Sequence, residues 1–362
     1  MRLLVLFILQ LTILTAYPQS TNTENIILIT LDGLRWQELY TGADSSLISD
    51  RAFVKDTAAL YQKFWRDTPE QRRQVLMPFF WSTIQEKGQL YGFRDAGSRV
   101  DCSNKHWFSY PGYNEILCGF ADDERIDSND KINNPNTTVL EYLNHIDRFK
   151  GKVAAFGSWD VFPFIINQDR SGIPVNAGFA NNTGPALSEK EHFLDELQTQ
   201  IPSPWATVRL DAFTHHYAME YIKRERPIIT YIAYGETDDF AHEGHYDAYL
   251  KSAQQTDAFI SSIWDFVQSD PQYQDRTTLI ITTDHGRGTN PKEDWRHHGS
   301  RIPDAGEIWV AILGPDTPAL GLISDNQQLY QNQVAATAAK FLGLEYTNER
   351  QVGQPIKSAF DD

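Results

Sequence analysis

Five short apolar runs rich in β-branched residues punctuate the chain: NIILITL (25–31), KVAAFGSW (152–159), PIITYIAY (227–234), TTLIITT (277–283) and EIWVAILG (307–314). They are near-continuous rather than alternating, the pattern of strands covered on both faces. Between them, residues 70–87, 137–147, 188–200, 204–224, 245–269 and 328–342 carry apolar positions at helical spacing. Strands alternating with helices predict an α/β fold, a doubly wound and mostly parallel sheet with helices on both faces. No Gly/Ser or Pro-rich linker, charge block or internal repeat marks a seam. Residues 20–362 therefore read as a single domain with an insertion around 160–225.

The polar residues just past these apolar runs change the picture. NIILITLDG delivers Asp32, PIITYIAYGETDDFAH delivers Asp238 and His242, and TTLIITTDHG delivers Asp284 and His285. An Asp before a Gly is by itself an ordinary strand-ending turn. Three strand ends carrying acids, two of them with histidines, point instead to the edge of an open α/β sheet where ligands bind. If a helix opens near 238, Asp238 and His242 lie one turn apart on the same face. His297 and His298, in DWRHHGSRIP, offer a further imidazole before another strand. Mixed Asp and His donors suit Zn²⁺, whereas an all-oxygen set would suit Mg²⁺ or Ca²⁺.

FSYPGYNEILCGF (108–120) places Ser109 two residues ahead of a proline at the opening of an apolar helical stretch. Such a hydroxyl is usually an N-terminal cap. Beside a metal cluster it becomes a candidate nucleophile, because helix-start N–H groups favour negative charge.

Composition narrows the partners and the compartment. A formal charge of −16 argues against nucleic acid or an anionic membrane surface as a partner. The first residues, MRLLVLFILQLTILTAYPQS, have the layout of a signal peptide over 1–19, with an apolar stretch too short to span a bilayer comfortably. The chain is thus expected to be periplasmic or secreted, with no membrane association beyond that segment. Two cysteines, Cys102 and Cys118, exclude a disulfide-built fold, although export permits a bond between them.

Taken in order, these motifs resemble those of the alkaline phosphatase superfamily, in style nearest its nucleotide pyrophosphatase/phosphodiesterase branch. LITLDG matches an early metal-binding Asp, SYPGY a nucleophile motif of the form Thr-Phe-Pro-Asn, and DDFAH an Asp-x-x-Gly-His motif. TTDHG matches the next motif, Asp-His-Gly, and HHGSRIPDAGEIWVAILGP a His-Gly pair before a strand ending in Gly-Pro. The resemblance runs from about residue 24 to 315. It implies an alkaline phosphatase-like fold and two divalent cations, best suited as Zn²⁺. One would be held by Asp238, His242 and His298, the other by Asp32, Asp284, His285 and the Ser109 oxygen. It further implies that Ser109 forms a covalent intermediate with the phosphoryl group of a small-molecule ester, monoester or diester, which water then cleaves. Sulfate-ester or phosphonate hydrolysis, or phosphoryl transfer, would use the same site, and a metal-stabilised binding protein without activity is the reading from another class.

The sequence departs from the pattern at Gly112, where relatives carry an Asn that holds a substrate oxygen, and at Ala241, where they carry a Gly. Asp239 and His297 remain alternatives to Asp238 and His298. Arg35, Lys105, His106 and Trp159 stand near the motif loops as candidate substrate contacts.

Overall fold

The computed structural model describes residues 21–184 and 186–360. The expected leader, residues 1–19, lies outside the described residues. In chain order the strands are β1 (Asn25–Leu31), β2 (Gln89–Tyr91), β3 (Arg99–Asp101), β4 (Val153–Gly157), β5 (Val175–Ala177), β6 (Ile229–Tyr234), β7 (Thr277–Thr282), β8 (Glu307–Ile308), β9 (Val310–Leu313), β10 (Gly321–Leu322) and β11 (Gln328–Tyr330). Eight form one sheet in the order β10-β2-β9-β7-β1-β6-β4-β5, and β11-β3-β8 form a small second sheet. In the large sheet only β9 runs against its neighbours.

Why the central runs are continuously apolar is visible in their packing. Ile27, Ile29 and Leu31 of β1 face one core, shared with the helix Tyr246–Ser269 and with Asp211–Glu225. Ile26 and Leu28 face a second core, built with the helices Ser109–Cys118, Val139–Asn144 and Gln333–Phe341. Side chains alternate between faces with period two, but both faces are covered, so neither set is polar. Each large apolar side chain fully buried this way contributes roughly 1.5–3 kcal/mol.

Several boundaries differ from the periodicity. The helical stretch 70–87 breaks after Pro69–Leu76, because Pro78 disfavours helical backbone at Met77, which sits at φ −126°, ψ 65°. The chain resumes at Phe80–Ile84 as a π-helical turn, whose start is capped by Asp257 accepting from the Phe79 and Phe80 amides at 2.8 and 3.1 Å. Residues 328–330 form strand β11 rather than the first turn of a helix, and residues 204–210 precede the helix Asp211–Glu225 instead of joining it. Within the stretch 160–225, β5 pairs in parallel with β4 as the sheet's edge strand, while residues 178–184 and 186–206 lie outside the sheet. Cys102 and Cys118 are free and buried in separate settings, Cys102 against the Asp284 carbonyl and Cys118 against the Asn134 amide, so no disulfide forms between them.

Strands β7, β1 and β6 stand side by side at the centre of the large sheet. Their carboxyl ends point the same way, so the chain leaves all three into one crevice.

Candidate active site

Asp32 directly succeeds the last residue of β1, and Asp284 and His285 lie two and three residues past the end of β7. After β6 the chain turns at Gly235 into the helix Glu236–His242, which carries Asp238 and His242 one turn apart, with Asp238 Oδ2 3.2 Å from His242 Nε2. Ser109 is the first residue of the helix Ser109–Cys118. That helix abuts the end of β7 so closely that a Cβ on Gly112 would lie 2.3 Å from the Asp284 carbonyl oxygen. Gly112 is therefore demanded by packing, and the Asn of related motifs has no room there.

The side chains converge around His285. Its Nε2 lies 3.3 Å from Asp32 Oδ1, 3.4 Å from Asp284 Oδ2, 3.7 Å from Asp238 Oδ1 and 3.5 Å from Ser109 Oγ. His298 stacks on His285 with ring centroids 3.9 Å apart, 3.6 Å from Asp238 Oδ1, and its Nε2 is 2.9 Å from His242 Nε2. Asp32, Asp284 and His285 form one group able to hold an ion, and Asp238, His285 and His298 another. His242 lines the more open side, its side chain 43% exposed. His297 is exposed and Asp239 belongs to neither group.

Two features of this arrangement fit cations. His285 Nδ1 is 2.9 Å from the Gly286 carbonyl, and His298 Nδ1 is 3.2 Å from the Trp107 carbonyl. A carbonyl can only accept, so each Nδ1 carries the hydrogen and each Nε2 presents a lone pair to the cluster. Lone pairs facing carboxylate oxygens repel unless a cation lies among them. Second, Asp32 Oδ1 and Asp284 Oδ2 are buried and have no hydrogen-bond partner among the described residues, a costly state for a carboxylate.

The electrostatics agree. Burial, then Asp238, pushes the Asp32 carboxyl well above its usual range, and burial, then Asp32, does the same to Asp284. Burial also opposes ionisation of Asp238, but Arg287 and then His242 outweigh it and hold Asp238 well below the ordinary value. Asp239 is pushed up to about 8 by burial and by Asp238. Burial, then His285, keeps His298 neutral by depressing its pKa well below the usual value.

A buried carboxylate that the sequence does not single out builds the approach to Ser109. Glu115 is fully buried in the Ser109 helix and accepts from the Ser103 amide and hydroxyl and from the Asn104 amide and side chain, at 2.7–2.9 Å for the best of each. Asn104 Oδ1 in turn accepts from the amides of His106 and Trp107. Trp107 sits at φ +52°, uncommon for a bulky residue, and its carbonyl is the partner of His298. One network thus ties the Ser109 helix to a histidine of the cluster. Glu115→Ala is expected to lose on the order of 3 kcal/mol, since it strands several buried donors, as read by urea denaturation.

Asn129 is a second residue beyond the sequence motifs. Its Oδ1 accepts from the Tyr110 amide at 3.0 Å, which places this exposed side chain at the helix start beside Ser109. Its Nδ2 donors make no hydrogen bond among the described residues. Of the other candidates, Arg35 is buried in an ion pair with Glu38 and is not free to bind a ligand. His106 turns its Nε2 to the Asp123 carbonyl, the Lys105 amide donates to Asp123, and Trp159 packs edge-on against Phe162.

Comparison with known proteins adds the family. Residues 40–343 match the family model described as type I phosphodiesterase/nucleotide pyrophosphatase. The match begins after Asp32, whose place rests on the structure. No curated protein sequence matches the chain. Among solved structures, the fold is similar to alkaline phosphatase PafA, with a TM-score of 0.61 at 10% identity over 95% of this chain and 99% of that one. It is similar also to lipoteichoic acid synthase LtaP from Listeria monocytogenes (TM-score 0.57, 10% identity, 90% and 73% covered). A third is the phosphonate monoester hydrolase from Silicibacter pomeroyi (TM-score 0.56, 12% identity, 92% and 76% covered). At these identities the likeness is one of fold.

Proposed function

Because the chain belongs to the type I phosphodiesterase/nucleotide pyrophosphatase family of the alkaline phosphatase superfamily, whose members hydrolyse ester bonds, we propose that it hydrolyses phosphate esters through a covalent Ser109 intermediate. The observation that carries this reading is the Ser109 hydroxyl, at a helix start, 3.5 Å from a histidine nitrogen whose lone pair also faces Asp32 and Asp284.

Asp32, Asp284, His285 and Ser109 would hold one divalent cation and Asp238, His242 and His298 the other, with Zn²⁺ suiting the mixed donors. Bound there, the cations would supply charge neutralisation for the carboxylates and for a phosphoryl group, and would make the Ser109 hydroxyl acidic. Ser109 Oγ forms the bond to phosphorus as the bond to the departing alkoxide breaks, and the Ser109 proton goes, in net, to that alkoxide, which leaves as the alcohol. Water then attacks the phosphoserine, so that ester and water become phosphate and alcohol. The free amide of Ser109 and the Nδ2 donors of Asn129 are placed to receive the phosphoryl oxygens, the role that Gly112 cannot fill. Glu115, through Asn104 and Trp107, keeps the serine loop and His298 in register.

The leader over 1–19 supports export, so the enzyme is proposed to act outside the cytoplasm on a small-molecule ester. Among the described residues no helix is long and apolar enough to cross a membrane.

The test is turnover on an aryl phosphate monoester, a bis-aryl phosphodiester and an aryl sulfate, with acid-quenched samples analysed for a phosphoryl group on the Ser109 peptide. Phosphate-ester turnover without any such adduct under rapid quench would remove the covalent step. Activity confined to the sulfate would remove the substrate class. Asn129→Ala is expected to lower kcat/KM for the preferred phosphate ester by about 10²-fold, the usual cost of one preorganised donor.

A further inference from the structure

Arg287 lies just past DHG in the loop after β7, and its side chain is fully buried. It reaches each of the other three segments that carry the clustered Asp and His side chains. Nε donates to the Gly33 carbonyl at 3.2 Å, directly after Asp32. Nη2 donates to both the backbone carbonyl of Asp238, at 3.1 Å, and its carboxylate. Nη1 donates to the Arg296 carbonyl at 2.7 Å, two residues before His298. The fourth segment, Asp284–His285, is Arg287's own. One guanidinium thus binds to every segment that supplies a carboxylate or imidazole to the cluster, the Ser109 helix being outside its reach.

The route is kept open by a glycine. Gly33 sits at φ +57°, and a Cβ there would lie 2.9 Å from Arg287 Nε and 3.0 Å from Asp238 Oδ1. The Asp-Gly that reads as a simple strand-ending turn is also the gap through which the arginine passes.

We propose that Arg287 is a positioning residue that locks the four segments carrying the Asp and His ligands into the spacing needed to hold two cations, by bridging their backbone and fixing the orientation of the Asp238 carboxylate. This rests on the two-cation reading above. The planar fork matters as much as the charge: five donors in fixed directions serve three segments at once, which a single ammonium on a flexible stem cannot do. Removing such outer-shell support typically weakens metal affinity by about 10–100-fold.

The experiment measures zinc binding by calorimetry, and thermal midpoints with and without zinc after chelator treatment, for the wild type, Arg287→Met and Arg287→Lys. Two equivalents are expected in the wild type. In Arg287→Met, affinity for at least one equivalent is expected to fall by about 10–100-fold, and the rise in midpoint on adding zinc to shrink. Arg287→Lys is expected to recover only part of both. A purely structural arginine would lower both midpoints together and leave the zinc-induced rise intact, which would overturn the proposal. So would wild-type affinity in Arg287→Lys, because charge alone would then suffice. Should Arg287→Met fail to fold, the lysine variant decides by the same two readings. A wild type that binds no zinc would overturn the two-cation reading and this proposal with it, whereas a wild type binding two beside an unaltered variant would overturn this proposal alone.

Discussion

Ser109→Ala is expected to lower kcat on the preferred phosphate ester by at least ~10⁴-fold while leaving the fold intact, a loss of the size seen when an attacking side chain is removed. The expectation rests on how little else at the helix start can attack. Ser109 is the sole hydroxyl within reach of His285 Nε2 among the hydrogen bonds of the described residues, and the neighbouring Tyr110 is buried with its own hydroxyl donated 2.7 Å to the Ile132 carbonyl. Nor is the serine needed to cap its helix: Phe108 occupies the capping position, and the side chain that accepts from a first-turn amide is that of Asn129, not Ser109. Loss of the hydroxyl should therefore cost little stability. The measurement is steady-state kinetics with circular dichroism and metal content as controls. If Ser109→Ala kept kcat within tenfold of wild type, direct attack by water would replace the covalent route, and the serine would be only one more oxygen beside the cluster.

The parts of this site that are legible in the sequence share a property: they sit next to a strong periodic signal. Asp32, Asp238, Asp284 and His285 stand just beyond β1, β6 and β7, runs so apolar that their ends can be read to within a few residues. The choice between neighbours is not legible, because spacing alone does not say which way a side chain turns. Helical geometry in Glu236–His242 carries Asp238, rather than Asp239, into the group with His285 and His298. Likewise the loop before β8 turns His298 inward and leaves His297 exposed.

The features that escape a reading of the sequence depend on contacts between distant residues. Gly112 looks like a missing donor in the motif, yet its absent side chain is the condition for the Ser109 helix to reach Asp284. Asn129 lies in a polar loop without periodicity and acquires meaning only through its bond to the Tyr110 amide. Nothing in the sequence marks Glu115, and only the return of residues 103–104 onto it explains its burial. Short strands such as β2, β10 and β11 are invisible because two or three residues carry no pattern, and pairing with neighbours decides them instead.

Removing the metal is expected to cost stability in a pH-dependent way, and the direction is set by the two orphaned carboxyls. Asp32 and Asp284 have folded-state pKa values raised above their ordinary 3.8 by burial first, and then by the charge of Asp238 on Asp32 and of Asp32 on Asp284. A raised acid favours its protonated form in the folded state, so the metal-free protein carries no penalty from it below about pH 4. The penalty grows as pH rises toward the folded value. Asp238 behaves oppositely, its depressed value placing its change at lower pH, outside this window. Cations need the ionised carboxylates and the neutral imidazoles of His285 and His298, so they compete with protons and bind more tightly as pH rises. The stabilisation from zinc should therefore increase from pH 5 to pH 8. At 1,000 times the dissociation constant one bound ion contributes about 4 kcal/mol, or about 6 °C for a domain of ~340 residues. Scanning calorimetry with and without chelator at pH 5, 6, 7 and 8 checks this. A zinc-induced shift that stayed flat or fell with pH would mean that the carboxyls of Asp32 and Asp284 are not what the ion replaces a proton on, and the donor assignment would have to be redrawn around Asp238, His242 and His298 alone.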